Sequence, residues 1–421
     1  MGEVADYIGR LFAEATLEGA RSVTRERTAQ VAGIFLLIGA EAFIYGFSFP
    51  YFSLSLHRLG MSSGAVGLNS SVAGVGIIFA GPFVPRLLAR FGMKRVVAAQ
   101  FALSALCFGT LLVWTSVPAW FVVRLVLGTV VASIWTTTEI WLNAVVSERH
   151  RGRILGLSGT WYACCQFLGP VALGVVGVSG RGALLTAIIP LGAGVFVALS
   201  LKTTRTTADA TAEQIGARRG VIRLAWTLLL AAFVTGIGEA SMQGLLPLYG
   251  LSHGLSEAAS ARLVAVFAAG EAVLIVLLGW LADRISQDKI LAGTMFTGAA
   301  LAALLPLAGS NAVWLDVLLF LAGGTIPGVY TIGSVLIGRN FAGERLPAVT
   351  VAVIIAYSAG SVLGPALVGL LFRTFGPSAL PETIAAAFAG TALLILARHV
   401  AARLRLPGRK GRAHGRFRNL I

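Results

Sequence analysis

Stretches of about 20 apolar residues recur along this chain, and short clusters between them hold nearly all of its charge. Wound as a helix, such a stretch crosses a hydrocarbon core of about 30 Å. Apolar residues fill 57% of the 421 positions and charged residues 12%, whereas soluble domains carry about one quarter charged residues. The fold class this predicts is an all-α membrane protein.

Twelve apolar segments can be drawn: 30 to 55, 65 to 88, 94 to 115, 118 to 145, 153 to 177, 182 to 201, 223 to 249, 260 to 282, 289 to 308, 312 to 338, 346 to 372 and 382 to 402. Each is long enough to span. The loops after even-numbered segments hold Arg86, Arg90, Lys94, Arg95, Arg149, Arg151, Arg153, Lys202, Arg205, Arg218, Arg219, Arg284, Lys289, Arg339 and Arg345, and the tail adds a basic run from Arg403 to Arg418. The opposite loops hold mainly Arg58, Arg181, Arg262 and Arg373. Lys and Arg mark the cytoplasmic side, so both termini are expected inside.

The expected organisation is a cytoplasmic N-terminal segment (1–29), a first six-helix bundle (30–201), a cytoplasmic linker (202–222), a second six-helix bundle (223–402) and a basic cytoplasmic tail (403–421). In the first segment Val4, Ile8, Leu11, Phe12 and Ala15 share one helical face, which suits either an interfacial amphipathic helix or a frayed tail helix.

Net charge of +15 would suggest nucleic acid in a soluble chain, but here the bases lie in the topology-setting loops. No nucleic-acid partner is expected. Cys107, Cys164 and Cys165 fall inside apolar segments, an odd count without ligand spacing, so neither a disulfide framework nor a metal site is expected. The first 28 residues mix acids and bases and lack a compact apolar region with a cleavage site, so the first span is expected to insert uncleaved. No G-x-x-x-x-G-K-[ST] loop is present, which argues against an ATP-driven pump. No cofactor is implied.

The halves carry matching landmarks. Gly169-Pro170 recurs as Gly364-Pro365, Tyr162 as Tyr357, Gly128 as Gly323 and Arg151 as Arg345, all offset by 194 or 195 positions. The stretch PRLLARFGMKR at 85 to 95 likewise precedes GWLADR at 279 to 284 by 194. One shared offset predicts two structural repeats around a central site, an architecture common among secondary transporters.

Three motifs then carry a family resemblance over nearly the whole chain. GWLADR, followed by Asp288 and Lys289, resembles the loop signature between the second and third helices of each half of the major facilitator superfamily. Arg124 with Gly128 four residues on is similar to its fourth-helix signature, and Gly169-Pro170 with Gly360-Ser-Val-Leu-Gly364-Pro365 resembles its antiporter-associated Gly-Pro signature. Within that superfamily, RLVLGTVVASIWTTTEIW at 124 to 141 and RGRILG at 151 to 156 resemble the YcaD-type branch of bacterial transporters. The first-half loop departs from the pattern: Ala89 replaces the acid and Pro85 the leading glycine, although Arg90, Gly92, Lys94 and Arg95 remain.

A carboxylate at the end of span eight can accept from free N–H groups at the start of a neighbouring helix. The resemblance makes that neighbour span five, near Gly152. Arg90, Gly92, Lys94, Gly279, Asp283, Arg284 and Lys289 are therefore the expected cytoplasmic gate, with Asp283 its latch; plain topogenic loop charges are the alternative.

Charges deep in a span cost a few kcal/mol each, so each is a functional candidate. Glu41, Arg124 and Glu139 are the proton-coupling candidates, Arg124 through the resemblance. Glu41 and Tyr45 are four apart and share a face. Glu239 lies near the place where the repeat puts a counterpart of Glu41; Glu271 in span eight is a weaker candidate, and Asp316 lies near the outer end of span ten. The expected substrate cavity gathers Glu41, Tyr45, Trp135, Glu139, Trp161, Tyr162, Glu239, Gln243, Tyr330 and Tyr357. The alternative for the acids is a protonated or hydrogen-bonded group cementing helix packing, and for the aromatics ordinary packing against helices or lipid. Gly169, Pro170, Gly360, Gly364 and Pro365 are hinge candidates, with tight packing as the rival reading.

The expected function is alternating-access, proton-coupled transport of a small organic solute across the bacterial inner membrane by a monomer, with antiport and export favoured over metabolite import. A solute sensor without transport is the second class. A membrane-embedded enzyme is the third, for which the outer loops offer only His57, His253 and Glu257 in scattered positions.

Overall fold

The computed structural model describes residues 25–148, 150–202, 219–285, 287–309, 311–341 and 345–404. Expectations for the N-terminal segment, most of the linker, the basic tail and the Asp283 side chain fall outside the described residues. The described chain forms helices α1 (Arg25–Arg58), α2 (Ser63–Phe91), α3 (Met93–Thr110), α4 (Val117–Val145), α5 (Arg151–Val176), α6 (Arg181–Ser200), α7 (Arg219–Ser252), α8 (Glu257–Arg284), α9 (Gln287–Ala308), α10 (Ala312–Asn340), α11 (Arg345–Phe375) and α12 (Ala379–Leu404). Among the described residues, ten of these helices are long and apolar enough to cross a membrane. The helices start where polar residues meet orphan backbone donors. Ser256 Oγ accepts from Ala259 N at 3.2 Å to open α8, and Asn311 Oδ1 accepts from Val313 N and Trp314 N at 3.2 Å to open α10. Gly92, at φ +76°, separates α2 from α3 in a conformation that favours glycine.

Helices α1 to α6 pack among themselves, chiefly α1 on α5, α2 on α4 and α3 on α6. Helices α7 to α12 repeat the pattern with α7 on α11, α8 on α10 and α9 on α12. Glycine makes these crossings close. A Cβ on Gly128 would lie 2.6 Å from the Ala73 carbonyl oxygen across the α2/α4 crossing, and one on Gly323 would overlap the Phe267 carbonyl across α8/α10. Gly169 sits on the α1 backbone, where a Cβ would lie 2.5 Å from the Phe43 oxygen, and Gly364 sits on α7, 2.6 Å from Ile237 Cα. Van der Waals contact between backbones is what binds helices where lipid removes the hydrophobic drive.

Between the two sets, α2 meets α11 and α5 meets α8. The α2–α11 seam joins Gly67 to Pro365 and Gly369, Ser63 to Gly369, and Gly74 to Ser361 and Val362. Ser71 Oγ accepts from Ala366 N at 2.9 Å within it. All of these lie toward the end where α1 turns into α2 and α7 into α8, opposite the end that bears most of the Lys and Arg. There Arg58 at the end of α1 also pairs with Glu257 at the start of α8, Nε to Oε1 2.5 Å, and Gly174 of α5 approaches the Ala258 oxygen. At the basic end, a Cβ on Gly152, Gly156 or Gly159 of α5 or on Gly279 of α8 would meet no neighbour within 4 Å among the described residues, and Arg151, Gly152 and Arg153 are exposed.

Candidate functional site: a buried acidic and aromatic cluster between the helix sets

Six helices bring ionisable side chains to one central region. Tyr45 on α1 lies within electrostatic reach of Glu41, Arg124, Glu239 and Glu271, which come from α1, α4, α7 and α8. Tyr162 on α5 reaches Glu41, Glu239 and Glu271 as well. Tyr357 on α11 donates a hydrogen bond to the Glu239 carboxylate, and Gln243 Nε2, one turn along α7, donates to Glu239 Oε1 at 3.3 Å. Glu41, Arg124, Glu239 and Gln243 are all buried. Two aromatic pairs flank the acids: Trp135 on Tyr162, centroids 5.6 Å apart, and Tyr330 on Tyr357, 5.0 Å apart.

Arg124 is held by α1 rather than by an acid. Its guanidinium lies 4.3 Å from the Phe49 ring centroid and 4.8 Å from that of Phe52, and Nη1 donates to Ser48 Oγ at 3.1 Å. Its Nε and Nη2 have no hydrogen-bond partner among the described residues. Aromatic faces attract a cation electrostatically, more so once water is removed. This explains how α4 carries a buried guanidinium without an ion pair.

The structure separates the other candidates. Glu139, six residues before the end of α4, is exposed and within reach of Tyr330 across the gap between the sets. Trp161 does not join the aromatic pairs; its indole N–H donates to the Phe35 oxygen at 2.8 Å, and the ring covers Gly39 on the α1–α5 seam. Glu271, the weaker sequence candidate, stands with the central acids, and its buried Oε2 has no hydrogen-bond partner among the described residues. Asp316 accepts from Arg262 Nη1 at 2.6 Å. Sequence reasoning missed Ser48, Phe49 and Phe52 as the Arg124 cradle, and Gln166, which shares a crevice with Gly46, Phe49, Pro170, Gln243 and Phe267.

Among the gate candidates, Arg284 stacks over the Trp280 ring at 3.8 Å and Arg90 lies 5.3 Å from the Phe91 centroid. Lys289 is exposed and Lys94 half-buried. Hinge candidates Gly169, Gly360 and Gly364 all sit at close helix crossings, on Phe43, Phe233 and Ile237 respectively. Cys107 and Cys165 are buried free thiols and Cys164 is exposed.

The sequence matches the Major Facilitator Superfamily family model over residues 31–265 and again over 228–418. The MFS-type transporter YfkF of Bacillus subtilis is 26% identical over 344 residues, covering 81% of this chain and 88% of that one. The MFS-type transporter YcaD of Escherichia coli is 27% identical over 339 residues, covering 76% and 83%. Among solved structures, the nucleoside transporter NupG superposes with a TM-score of 0.69 at 13% identity, over 90% of this chain and 99% of its own. A bacterial homologue of the human lysosomal transporter Spinster, crystallised inward-facing and unoccupied, gives 0.69 at 15% identity over 92% and 100%. The relatives are transporters, not enzymes, and this chain is a multi-pass membrane protein of a bacterial transporter family. It belongs to the Major Facilitator Superfamily.

Proposed function

We propose that the chain is a proton-coupled secondary transporter of the bacterial inner membrane that moves a small organic solute by alternating access. Its twelve helices act as two six-helix bundles that rock about a central site as a monomer, with basic loops and termini in the cytoplasm. The observation that carries this reading is the cluster itself: buried acids and tyrosines from both helix sets converge on one another, while the sets touch along the α2–α11 seam at the end opposite most of the Lys and Arg. Ionisable groups are expensive inside a membrane and are kept where solute or protons pass.

On this reading the described state faces inward. The first turn of α5 stands open, as an Asp283 latch requires when released. Glu41, buried with no hydrogen bond or ion pair among the described residues, and Glu139, exposed at the open mouth, are the proton carriers. Arg124 couples them to the outer half of α4. The glycine and proline crossings of α5 and α11 serve as the hinges, and export by antiport is favoured.

Proteoliposomes containing a pH-sensitive dye test the proposal. Small solutes that raise the melting temperature of the purified protein are added one at a time under an imposed pH gradient. The expected result is proton movement that depends on the solute and disappears in Glu41→Gln. Solutes that bind without moving protons or being moved themselves would establish a sensor instead.

A further inference from the structure

Among the described residues, the central site gathers several carboxyl groups and a single guanidinium. Glu41, Glu239 and Glu271 converge on Tyr45 and Tyr162 from three helices, and Glu139 reaches the same space through Tyr330. Arg124 is the only guanidinium within reach of Tyr45 among the described residues. It is turned aside: rings of Phe49 and Phe52 and the Ser48 hydroxyl enclose it, and no carboxylate lies within ion-pair distance among the described residues. Among the described residues, the acids therefore have no counter-cation in ion-pair contact.

The remaining polar atoms point the same way. Glu271 Oε2 and Gln243 Oε1 are buried acceptors without a donor among the described residues: Tyr357 O–H and Gln243 Nε2 serve Glu239, and the Tyr45 and Tyr162 hydroxyls, although beside the acids, donate to neither atom. Surplus acceptors favour a ligand that brings N–H groups. The flanking walls are aromatic, one pair from each helix set, with Trp135 on Tyr162 and Tyr330 on Tyr357. Negative ring faces beside carboxylates suit an organic cation with an apolar body, and they repel an anion of the same shape.

We propose that the solute taken by this site is an amphipathic organic ammonium ion, with its nitrogen between Glu239 and Glu271 and its apolar portion against the two aromatic pairs. This rests on the transport reading for what happens after binding, but not for binding itself. A proton can also neutralise an acid, yet protonation leaves the aromatic walls and the bare Gln243 oxygen without a purpose. An ammonium ion uses all three.

The test uses the full-length protein in nanodiscs and three probe series of equal and graded chain length: phenylalkylammonium ions, phenylalkanols and phenylalkanoates. Binding is read from the melting temperature and from tryptophan fluorescence. The ammonium series is expected to bind about tenfold or more tightly than the alcohols, with the carboxylates weakest. Glu239→Gln and Glu271→Gln should each erase that preference while the ligand-free melting temperature holds, since Gln keeps the shape at both positions and can still accept from Gln243 at 239. Trp135→Phe should remove the fluorescence response but not the thermal one. Equal binding of alcohols and ammonium ions, preference for carboxylates, binding by none of the series, or unchanged ammonium affinity in both glutamine variants would each overturn the proposal. Proteoliposome flux of a bound ammonium ion separates the two readings: binding without flux leaves the ligand class standing and removes the transporter.

Discussion

Placing a methyl group at Gly67 tests whether the α2–α11 seam holds this conformation. A Cβ there overlaps the Pro365 carbonyl oxygen and stands 3.0 Å from Gly369 Cα and 3.1 Å from the Pro365 carbonyl carbon. All three atoms are backbone, so no side chain can rotate away and the helices must part. Overpacking of this kind costs about 1–3 kcal/mol. In alternating access the seam exists in one state only, so the cost falls on that state, and the ratio of basic-end-open to opposite-end-open molecules drops about 5- to 150-fold. The Arg58–Glu257 pair crosses the same closure, but its side chains are 41% and 27% exposed; screened by water it is worth about 0.2–1 kcal/mol, so its removal shifts the ratio at most about fivefold.

The assay is maleimide labelling of Trp135→Cys, whose ring in the native protein is half exposed against Tyr162, in a background where exposed Cys164 and the two buried cysteines are replaced. Labelling by an impermeant reagent from the basic side should slow in Gly67→Ala. Gly128→Ala is the control, because its Cβ would crowd Ala73 at 2.6 Å within one helix set; it should lower the melting temperature without redistributing the label. Unchanged labelling in Gly67→Ala, with the fold intact, would refute the reasoning, as would an equal shift in Gly128→Ala.

Arg124→Met should abolish proton-driven transport while leaving the melting temperature unchanged or higher, because a buried guanidinium with two unbonded nitrogens gives way to an apolar chain of similar length; a lower melting temperature with transport intact would make Arg124 a structural residue. Asp283→Asn should enlarge the inward-open population read by the same labelling, since the amide is a weaker partner for a helix N-terminus; no change rejects the latch.

The bilayer made much of the fold legible. Lipid tolerates backbone only in self-satisfied helices of a set length, so hydropathy alone placed the helices to within a few residues. The same cost marked Glu41, Arg124 and Glu239, because a charge inside an apolar run is conspicuous without any tertiary knowledge. The offset of 194 or 195 placed Gly128 with Gly323 and Gly169 with Gly364, and these glycines do lie at corresponding crossings, α2/α4 with α8/α10 and α1/α5 with α7/α11. What a one-dimensional pattern lacks is the rotation of each helix about its axis. Hence Glu271 looked weaker than Trp161, though packing turns Glu271 into the cluster and Trp161 onto the α1 backbone. Phe49 and Phe52 read as ordinary span residues until α1 laid them against the Arg124 guanidinium. Arg58 and Glu257, 199 positions apart, become partners only when two helix sets meet. Where the two helix sets touch was likewise beyond the sequence, since the α2–α11 contacts of Gly67, Ser71 and Gly74 depend on how the helices are placed in space.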